Sequence, residues 1–261
     1  MNSLELLARD AVAWMKTRSA ETQAELYLSR GEERAVSRRE GERDGIEASE
    51  GAGAGVRVVR DGRVGFAAAG GADLEAIKAL YARAVEQLPH AEPDPRRVLP
   101  GPQAPVGDDA LAATLWDETL FTAPWDKVEL RLKEAEAAAQ AQPHVARIMR
   151  VEYAESRGTV VVAGTSGLFA SERGGSASVS LVVAAESGAE VQLGEGYRAE
   201  RMASALDFAA AGREAGLRAS SLLGARRAKG GKRSVLFEPW VGVEFLELLA
   251  ELLSADEVQG G

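Results

Sequence analysis

The stretch that most constrains the fold is a glycine-rich run that leads into a tight turn, residues 51–66. Asp61 and Gly62 form a dipeptide that suits a type I′ turn, because both central positions of that turn need positive φ. The flanking runs, residues 55–60 and 63–68, carry valine and phenylalanine in partial in/out alternation. The stretch therefore predicts an antiparallel hairpin, with its glycines serving the geometry of the sheet.

Helical periodicity lies on both sides of this hairpin. Residues 3–17 repeat apolar side chains at helical spacing behind Ser3, a residue that suits an N-cap. Residues 74–88 show the same spacing after a polar break, which predicts a helix packed over the sheet. Three more helices are predicted at residues 125–140, 204–223 and 240–253.

The other segments predict strands and turns. Residues 24–29 alternate as a strand does, and Gly31 with Glu32 is predicted to turn the chain. The densely charged residues 33–44 fit either an edge strand or a solvated loop. Further strands are predicted at residues 147–156, 159–163, 168–172, 177–185, 189–193 and 234–237. The turns between them are predicted at residues 157–158, 164–167 and 187–188.

Prolines divide the chain into two parts. Six of them fall between residues 89 and 105, which predicts a linker or an extended surface crossing. The predicted organisation is a first subdomain at residues 1–92, a linker at 93–110 and a second, strand-rich subdomain at 111–261. The predicted class is α+β, with an antiparallel sheet and helices in each subdomain.

Composition limits the function classes. The formal charge of −9 gives an acidic surface that repels phosphate, so nucleic-acid binding is not expected. The chain has no cysteine, which excludes disulfides and thiol chemistry. No apolar run reaches the length of about 18–20 residues that a bilayer requires, and the amino terminus does not resemble a signal peptide. A cytoplasmic protein without membrane contact is expected.

These residues carry a family resemblance. The sequence resembles the amino-terminal half of the TldD/PmbA family in three successive features: the glycine-rich run into residues 55–58, the turn at 61–67 and the helix that follows. Thr165-Ser166-Gly167 is a looser version of a family turn, and residues 201–223 and 234–239 are similar to the helix and strand before the family's metal region. The resemblance implies an α+β fold in a family first described as modulators of DNA gyrase and later understood as metalloproteases. Family members are usually markedly longer than this chain.

The family's catalytic branch carries His-Glu-x-x-x-His on the helix after that strand, where two histidines bind zinc and the glutamate activates a water. In this sequence Leu246 and Glu251 fall at the histidine positions and Glu247 at the glutamate position. Leucine cannot ligate a metal. The segment therefore resembles the PmbA, or TldE, branch, which lacks the motif, and neither catalytic nor metal-binding residues are expected in this chain.

Three other groups of residues are candidate sites: the glutamates of the last helix, the two histidines with Ser166, and the glycines of residues 51–55. Glu244, Glu247 and Glu251 share one helix face and could form a carboxylate metal site, but the apolar residues on the opposite face favour an ordinary solvated face of an amphipathic helix. His90 and His144 each lie beside a proline at a helix end and are interpreted as surface or capping residues. A nucleophile–base pair with Ser166 finds no support in the spacing. The glycines of residues 51–55 lack the Lys-Ser/Thr of a phosphate loop and precede a strand.

The resemblance implies a non-catalytic, TldE-like subunit of a heteromeric zinc metalloprotease. Zinc is expected in a TldD-like partner, and an unfolded peptide is expected to bind in extended form against a strand. One alternative is a stand-alone interaction or scaffold protein derived from the family's amino-terminal part. Another is a protease whose metal ligands lie in a carboxy-terminal piece outside this sequence. The apolar residues Trp240, Phe245 and Leu249 are expected to need cover from a partner or from the chain itself.

Overall fold

The computed structural model describes residues 3–103, 113–254 and 258. The chain forms two compact units, residues 1–224 and residues 225–261. No helix in the described ranges has both the length and the apolar character needed to span a membrane. Part of the predicted linker, residues 104–110, lies outside the described residues.

The first unit is built on an antiparallel sheet. The described residues form six strands: Gln23–Arg39 (β1), Glu42–Arg60 (β2), Arg63–Gly70 (β3), Val145–Gly164 (β4), Phe169–Ser187 (β5) and Glu190–Glu200 (β6). Their order across the sheet is β3-β2-β1-β4-β5-β6. The predicted α+β class of antiparallel strands with helices is confirmed, and strands from both halves of the chain share this one sheet. The predicted division into subdomains at residues 1–92 and 111–261 stays a prediction.

The predicted central hairpin is confirmed. β2 and β3 pair from Gly53 opposite Gly70 to Arg60 opposite Arg63. Asp61 and Gly62 join the two strands with φ of 52° and 71°, as a type I′ turn requires. Gly51, Gly53 and Gly55 lie within β2, in agreement with their interpretation as sheet geometry.

The pairing of β1 with β4 corrects three predictions. Gly31 does not turn the chain, because it lies inside β1 directly opposite Gly158 of β4. The turn predicted at residues 157–158 is wrong for the same reason, and residues 145–164 form one strand. The prediction for residues 33–44 is wrong for residues 33–38, because β1 pairs there with β2 on one side and with β4 on the other. Its edge-strand alternative holds for residues 42–44, since no described strand pairs with the outer side of β2 there.

Five helices of eight residues or more are described, close to their predicted positions. They are Ser3–Lys16 (α1), Leu74–Gln87 (α2), Trp125–Gln140 (α3), Phe208–Ser221 (α4) and Pro239–Leu252 (α5). The last of them belongs to the second unit. Residues 234–237, predicted as a strand, have no regular secondary structure.

Two hydrophobic cores lie on the same face of the sheet. Leu26, Leu28 and Val36 of β1 differ by even numbers, so their side chains point to one face. Leu26 and Leu28 belong to a core under α1 and α2, which also contains Ile77 and Leu80. Val36 belongs to the second core, under α3 and α4. All four helices therefore cover one face of the sheet.

Glycines let the helices approach the strands closely. A Cβ atom at Gly65 of β3 would lie 1.8 Å from the Ala84 carbonyl oxygen of α2. A Cβ atom at Gly196 of β6 would lie 2.0 Å from the Ala211 carbonyl oxygen of α4. Helices α3 and α4 also touch through glycine, since a Cβ at Gly212 would lie 2.0 Å from the Ala135 carbonyl oxygen. Backbone contact at these points leaves no room for any side chain.

Replacing Gly196 by alanine is predicted to lower the free energy of unfolding by about 1–3 kcal/mol, because α4 must move away from β6 to admit the methyl group. Gly51→Ala is the matched control, since no atom lies within 4 Å of the added Cβ. Urea unfolding followed by circular dichroism measures both. Equal stability of the two variants would contradict this packing.

Candidate functional site

The sheet face opposite the helices carries the candidate site. Odd-numbered side chains of β1 point to this face, which we call the open face. Helices α1–α4 pack against the opposite face of the sheet, and two concave regions lie on the open face. We call the first the acidic groove, because Glu33, Glu47 and Glu152 line it. It has a volume of about 750 Å³ and lies toward the end of the sheet where a turn connects β1 to β2. We call the second the apolar groove, because Tyr27 and Phe66 line it. It has a volume of about 640 Å³ and lies toward the opposite end of β1 and β2.

The acidic groove is polar. Its open-face side chains come from four strands: Glu33, Ala35, Glu47, Ser49, Glu152, Ala154, Ser156, Ser176 and Ser178. Glu152 forms an ion pair with Arg150. Glu33 and Glu47 have no ion-pair partner among the residues that the structure describes. The groove thus offers two free carboxylates beside a row of hydroxyl groups.

The apolar groove presents two aromatic side chains. Tyr27 is 47% exposed and Phe66 is 54% exposed. Gly55 lies under the Phe66 ring, where an added Cβ would be 3.4 Å from the ring edge. An ion pair of 2.8 Å between Arg57 and Glu25 borders the groove. This end of the open face can bury an apolar side chain of a ligand.

The outer edge of β2 is free along the acidic groove. β3 pairs only with residues 53–60 of β2, and the Gly71 N–H then donates to the Ala52 carbonyl at 2.8 Å. No described strand pairs with the outer side of β2 between Glu42 and Gly51. The corresponding edge of β5 is partly covered, because the Gly175 N–H donates to the Leu115 carbonyl at 3.0 Å.

A buried ionic network supports the sheet behind the acidic groove. Arg34 and Glu155 stand opposite each other on β1 and β4 and form an ion pair, with the Glu155 side chain only 1% exposed. The Phe121 N–H and the Tyr153 hydroxyl both donate to Glu155 Oε2 at 3.0 Å. Burial, with the Glu155 carboxylate nearby, raises the pKa of Tyr153, so its hydroxyl remains a donor. The Arg34 guanidinium lies 4.6 Å from the Trp125 ring centroid. Each partner of the buried pair is therefore satisfied.

Asp117 anchors the segment that crosses the helix side of the sheet. Its carboxylate accepts from the Thr119 N–H at 2.7 Å, the Thr119 hydroxyl at 2.6 Å and the Ala203 N–H at 2.7 Å. Burial alone would raise the pKa of Asp117, but these hydrogen bonds outweigh it and the pKa is lowered. The ionised carboxylate therefore ties residues 117–119 to the start of the connection into α4.

The residues considered as a nucleophile and base do not come together. The Ser166 hydroxyl donates to the Pro100 carbonyl at 2.6 Å, and no hydrogen bond joins it to a histidine within the described ranges. His90 ends a 3₁₀ turn and is exposed. His144 is exposed with φ of 63°, and its carbonyl accepts from the Glu186 N–H at 2.8 Å. Ser166 serves the turn at residues 164–167, which is confirmed.

The helix compared with the family's metal helix is α5. Leu246, Glu247 and Glu251 are all exposed, and so is Glu244. The described residues contain no group of three or more His, Asp or Glu side chains placed to hold a metal ion. The expectation that this chain has no metal or catalytic residues stays a prediction.

Sequence reasoning did not identify the open face or the buried pair. The dense charge of residues 33–44, with Ala35 and Val36 as the only apolar residues, predicts an edge strand or a solvated loop. The signal lay in parity: Glu32, Arg34 and Arg38 share one face with Val36, and Glu33 and Ala35 share the other. The partners on β4 lie more than 100 residues away, so only the fold reveals the pairing.

Comparisons with known proteins find two family models in the chain. The model described as PmbA/TldA metallopeptidase domain 1 matches residues 24–88. The model described as PmbA/TldA metallopeptidase central domain matches residues 122–223. Among curated proteins, none matches the chain in sequence.

Solved structures share the fold. A protein from Thermotoga maritima MSB8 described as a modulator of a DNA gyrase superposes with a TM-score of 0.74 at 16% identity, over 88% of this chain and 50% of its own. TldE from Thermococcus kodakarensis gives a TM-score of 0.71 at 19% identity, over 82% and 47%. A protein from Bacteroides thetaiotaomicron VPI-5482 described as a modulator of DNA gyrase gives 0.84 at 16% identity, over 100% and 59%. The chain thus spans about half the length of these structures.

Replacing Asp117 by asparagine is predicted to lower the free energy of unfolding at pH 7 by about 1–3 kcal/mol. An amide has only one oxygen, so the N–H of either Thr119 or Ala203 loses its acceptor. The lowered pKa means that the carboxylate stabilises the fold above its unfolded pKa of about 4, and that this contribution is lost as the pH falls through the folded value. The difference between the two proteins should therefore shrink below about pH 4. Urea unfolding from pH 7 to pH 3 measures it, with Asp10→Asn on α1 as the exposed control. A difference that stays constant with pH would contradict the role given to Asp117.

Proposed function

The chain belongs to the PmbA/TldD metallopeptidase family, and from this premise we propose that it is a non-catalytic, TldE-like subunit of a heteromeric zinc metallopeptidase. Its proposed role is to help bind an unfolded peptide and to assemble with a catalytic partner. The proposed partner is a TldD-like subunit that carries the zinc ion.

The observation that carries the proposal is the composition of α5. This helix contains no histidine, and Leu246 and Glu251 fall where the catalytic branch of the family is expected to have its zinc ligands. The aliphatic side chain of Leu246 cannot coordinate zinc, and the single carboxylate of Glu251 is not a sufficient set of ligands. Hydrolysis in such an assembly is therefore proposed to depend on the metal of the partner.

The open face supports the peptide-binding part of the proposal. An extended peptide can add to a free strand edge through main-chain hydrogen bonds, which do not depend on its sequence. The outer edge of β2 from Glu42 to Gly51 offers such groups beside the acidic groove. The acidic surface also disfavours nucleic acid as the ligand, since the chain has a net charge of −9. The cytoplasm is the proposed location.

The exposed apolar side chains of α5 support the proposal of a partner. Seven apolar side chains of this helix are at least 47% exposed: Trp240, Val243, Phe245, Leu246, Leu248, Leu249 and Leu252. Exposed apolar area of this kind on one helix is typical of a surface that another polypeptide covers. A hetero-oligomer is therefore the proposed state.

Co-expression with a relative that carries His-Glu-x-x-x-His tests the proposal. The two chains are predicted to co-purify, with zinc in proportion to the partner and with chelator-sensitive cleavage of an unfolded peptide. This chain alone is predicted to hold no tightly bound zinc and to show no peptidase activity. The control is a partner with glutamine in place of the motif's glutamate, which should assemble but not cleave.

Three results would count against the proposal. Stoichiometric, tightly held zinc in the isolated chain would overturn the non-catalytic role. Chelator-sensitive peptidase activity of the chain alone would favour a protease in its own right. Failure to assemble with any zinc-bearing relative would favour the stand-alone interaction protein.

A further inference from the structure

The free edge of β2 and the acidic groove beside it form one continuous surface. Within the described ranges, the edge from Glu42 to Gly51 has no strand on its outer side, whereas the remainder of β2 is paired with β3. The groove begins on the same strand, since Glu47 and Ser49 point into it. A segment that pairs with this edge would therefore place alternate side chains over the groove.

Two carboxylates in this surface, Glu33 and Glu47, have no ion-pair partner in the part of the chain that the structure describes. Glu33 stands opposite Ser49 and Glu47 opposite Ala35, so the two glutamates are diagonal neighbours with Cβ atoms about 7–8 Å apart. Neighbouring carboxylates are paired: Glu32 with Arg157, Glu50 with Arg30, Glu152 with Arg150 and Glu155 with Arg34. A ligand cation between Glu33 and Glu47 would relieve their mutual repulsion.

We infer that this surface binds an extended, basic peptide segment, with lysine or arginine side chains beside Glu33 and Glu47. The inference rests on the proposed function, because it names the charge of the peptide that the subunit holds. Strands lie about 4.8 Å apart, so an added strand would be about 5 Å from β2 and about 10 Å from β1. A lysine or arginine side chain of the added strand spans the distance of about 10 Å to β1 when the Glu33 side chain extends toward it.

Other occupants fit this surface less well. The described residues offer no group of three carboxylates or histidines for a metal ion. A second copy paired through the same edge would place two segments 42–51 side by side, each with four carboxylates and one arginine, so like charges would come close together. A basic peptide avoids that repulsion and gains hydrogen bonds from the exposed main chain of β2.

Fluorescence anisotropy with labelled peptides tests the inference on the full chain. The probe is a fluorescein-labelled nonapeptide that alternates valine with lysine, and its matched peptide has glutamine in place of lysine. The lysine peptide is predicted to bind at least about fivefold more tightly at low salt, and the preference should fall as salt screens the exposed charges.

Charge-matched variants locate the effect. Glu33→Gln combined with Glu47→Gln is predicted to remove the preference for lysine while leaving the affinity for the glutamine peptide within about twofold. Glu75→Gln combined with Glu86→Gln removes the same charge from exposed positions of α2, and it should preserve the preference. Both pairs are exposed, so neither is expected to disturb folding.

N-methylated peptides test the strand pairing. One lysine peptide carries methyl groups on its valine amides and another on its lysine amides. One of the two should bind at least about tenfold more weakly, because alternate amides of an added strand face β2. Binding by both at the affinity of the unmethylated peptide would overturn the pairing.

Several results would overturn the charge inference. Equal affinity for the lysine and glutamine peptides would overturn it. That result would not affect the proposed subunit role, which co-purification with a zinc-bearing relative tests separately. Loss of the preference in the Glu75/Glu86 control would assign it to net charge alone. Absence of binding by every peptide, or a dimer in sedimentation velocity that buries this edge, would also exclude it.

Discussion

The fold depends on the antiparallel pairing of β1 with β4. This ladder runs from Glu25 opposite Gly164 to Arg38 opposite Val151 and joins the two halves of the chain into one sheet. Its centre is ionic: Glu32 faces Arg157 and Arg34 faces Glu155. Buried charges of this kind cost solvation energy unless each is paired and hydrogen-bonded, as Glu155 is by Arg34, Tyr153 and the Phe121 N–H. The pairing fixes the register of the two strands, because a shift by one residue would move each charge to the other face.

That register separates the two faces of the sheet. The same strands send apolar side chains into two cores beneath four helices and send serine and glutamate to the open face. Helices α1–α4 lie on one side of the sheet, and the groups proposed to bind a peptide lie on the other. The helix side also carries the rigid parts: the ion pair at Arg34 and the Asp117 anchor both lie opposite the acidic groove. The proposed binding surface is therefore backed by a hydrogen-bonded ionic network on the helix side.

Local features were predictable from the sequence, and pairings between distant residues were not. The helices and the hairpin at Asp61-Gly62 follow from spacing and from turn chemistry, which neighbouring residues decide. Gly31 and Gly158 resemble turn residues, yet each lies inside a long strand, and they stand opposite each other. This pairing joins residues more than 100 positions apart, so the local sequence does not reveal it. The charges of residues 33–39 suggested an edge or a loop for the same reason, since their partners on β4 are not visible in the local sequence. The family resemblance supplied the fold class, which is confirmed, but the acidic groove and the free edge of β2 emerged only from strand order.

Hydrogen–deuterium exchange tests the central proposal that the open face of this sheet, with the free edge of β2, binds peptide. The amides of residues 42–51 are predicted to exchange faster than those of residues 53–60 in the free chain, because only the latter lie between two paired strands. With saturating valine–lysine nonapeptide, residues 42–51 should become protected while α1 and α2 remain unchanged. Protection confined to the helices, or none along β2, would contradict the claim.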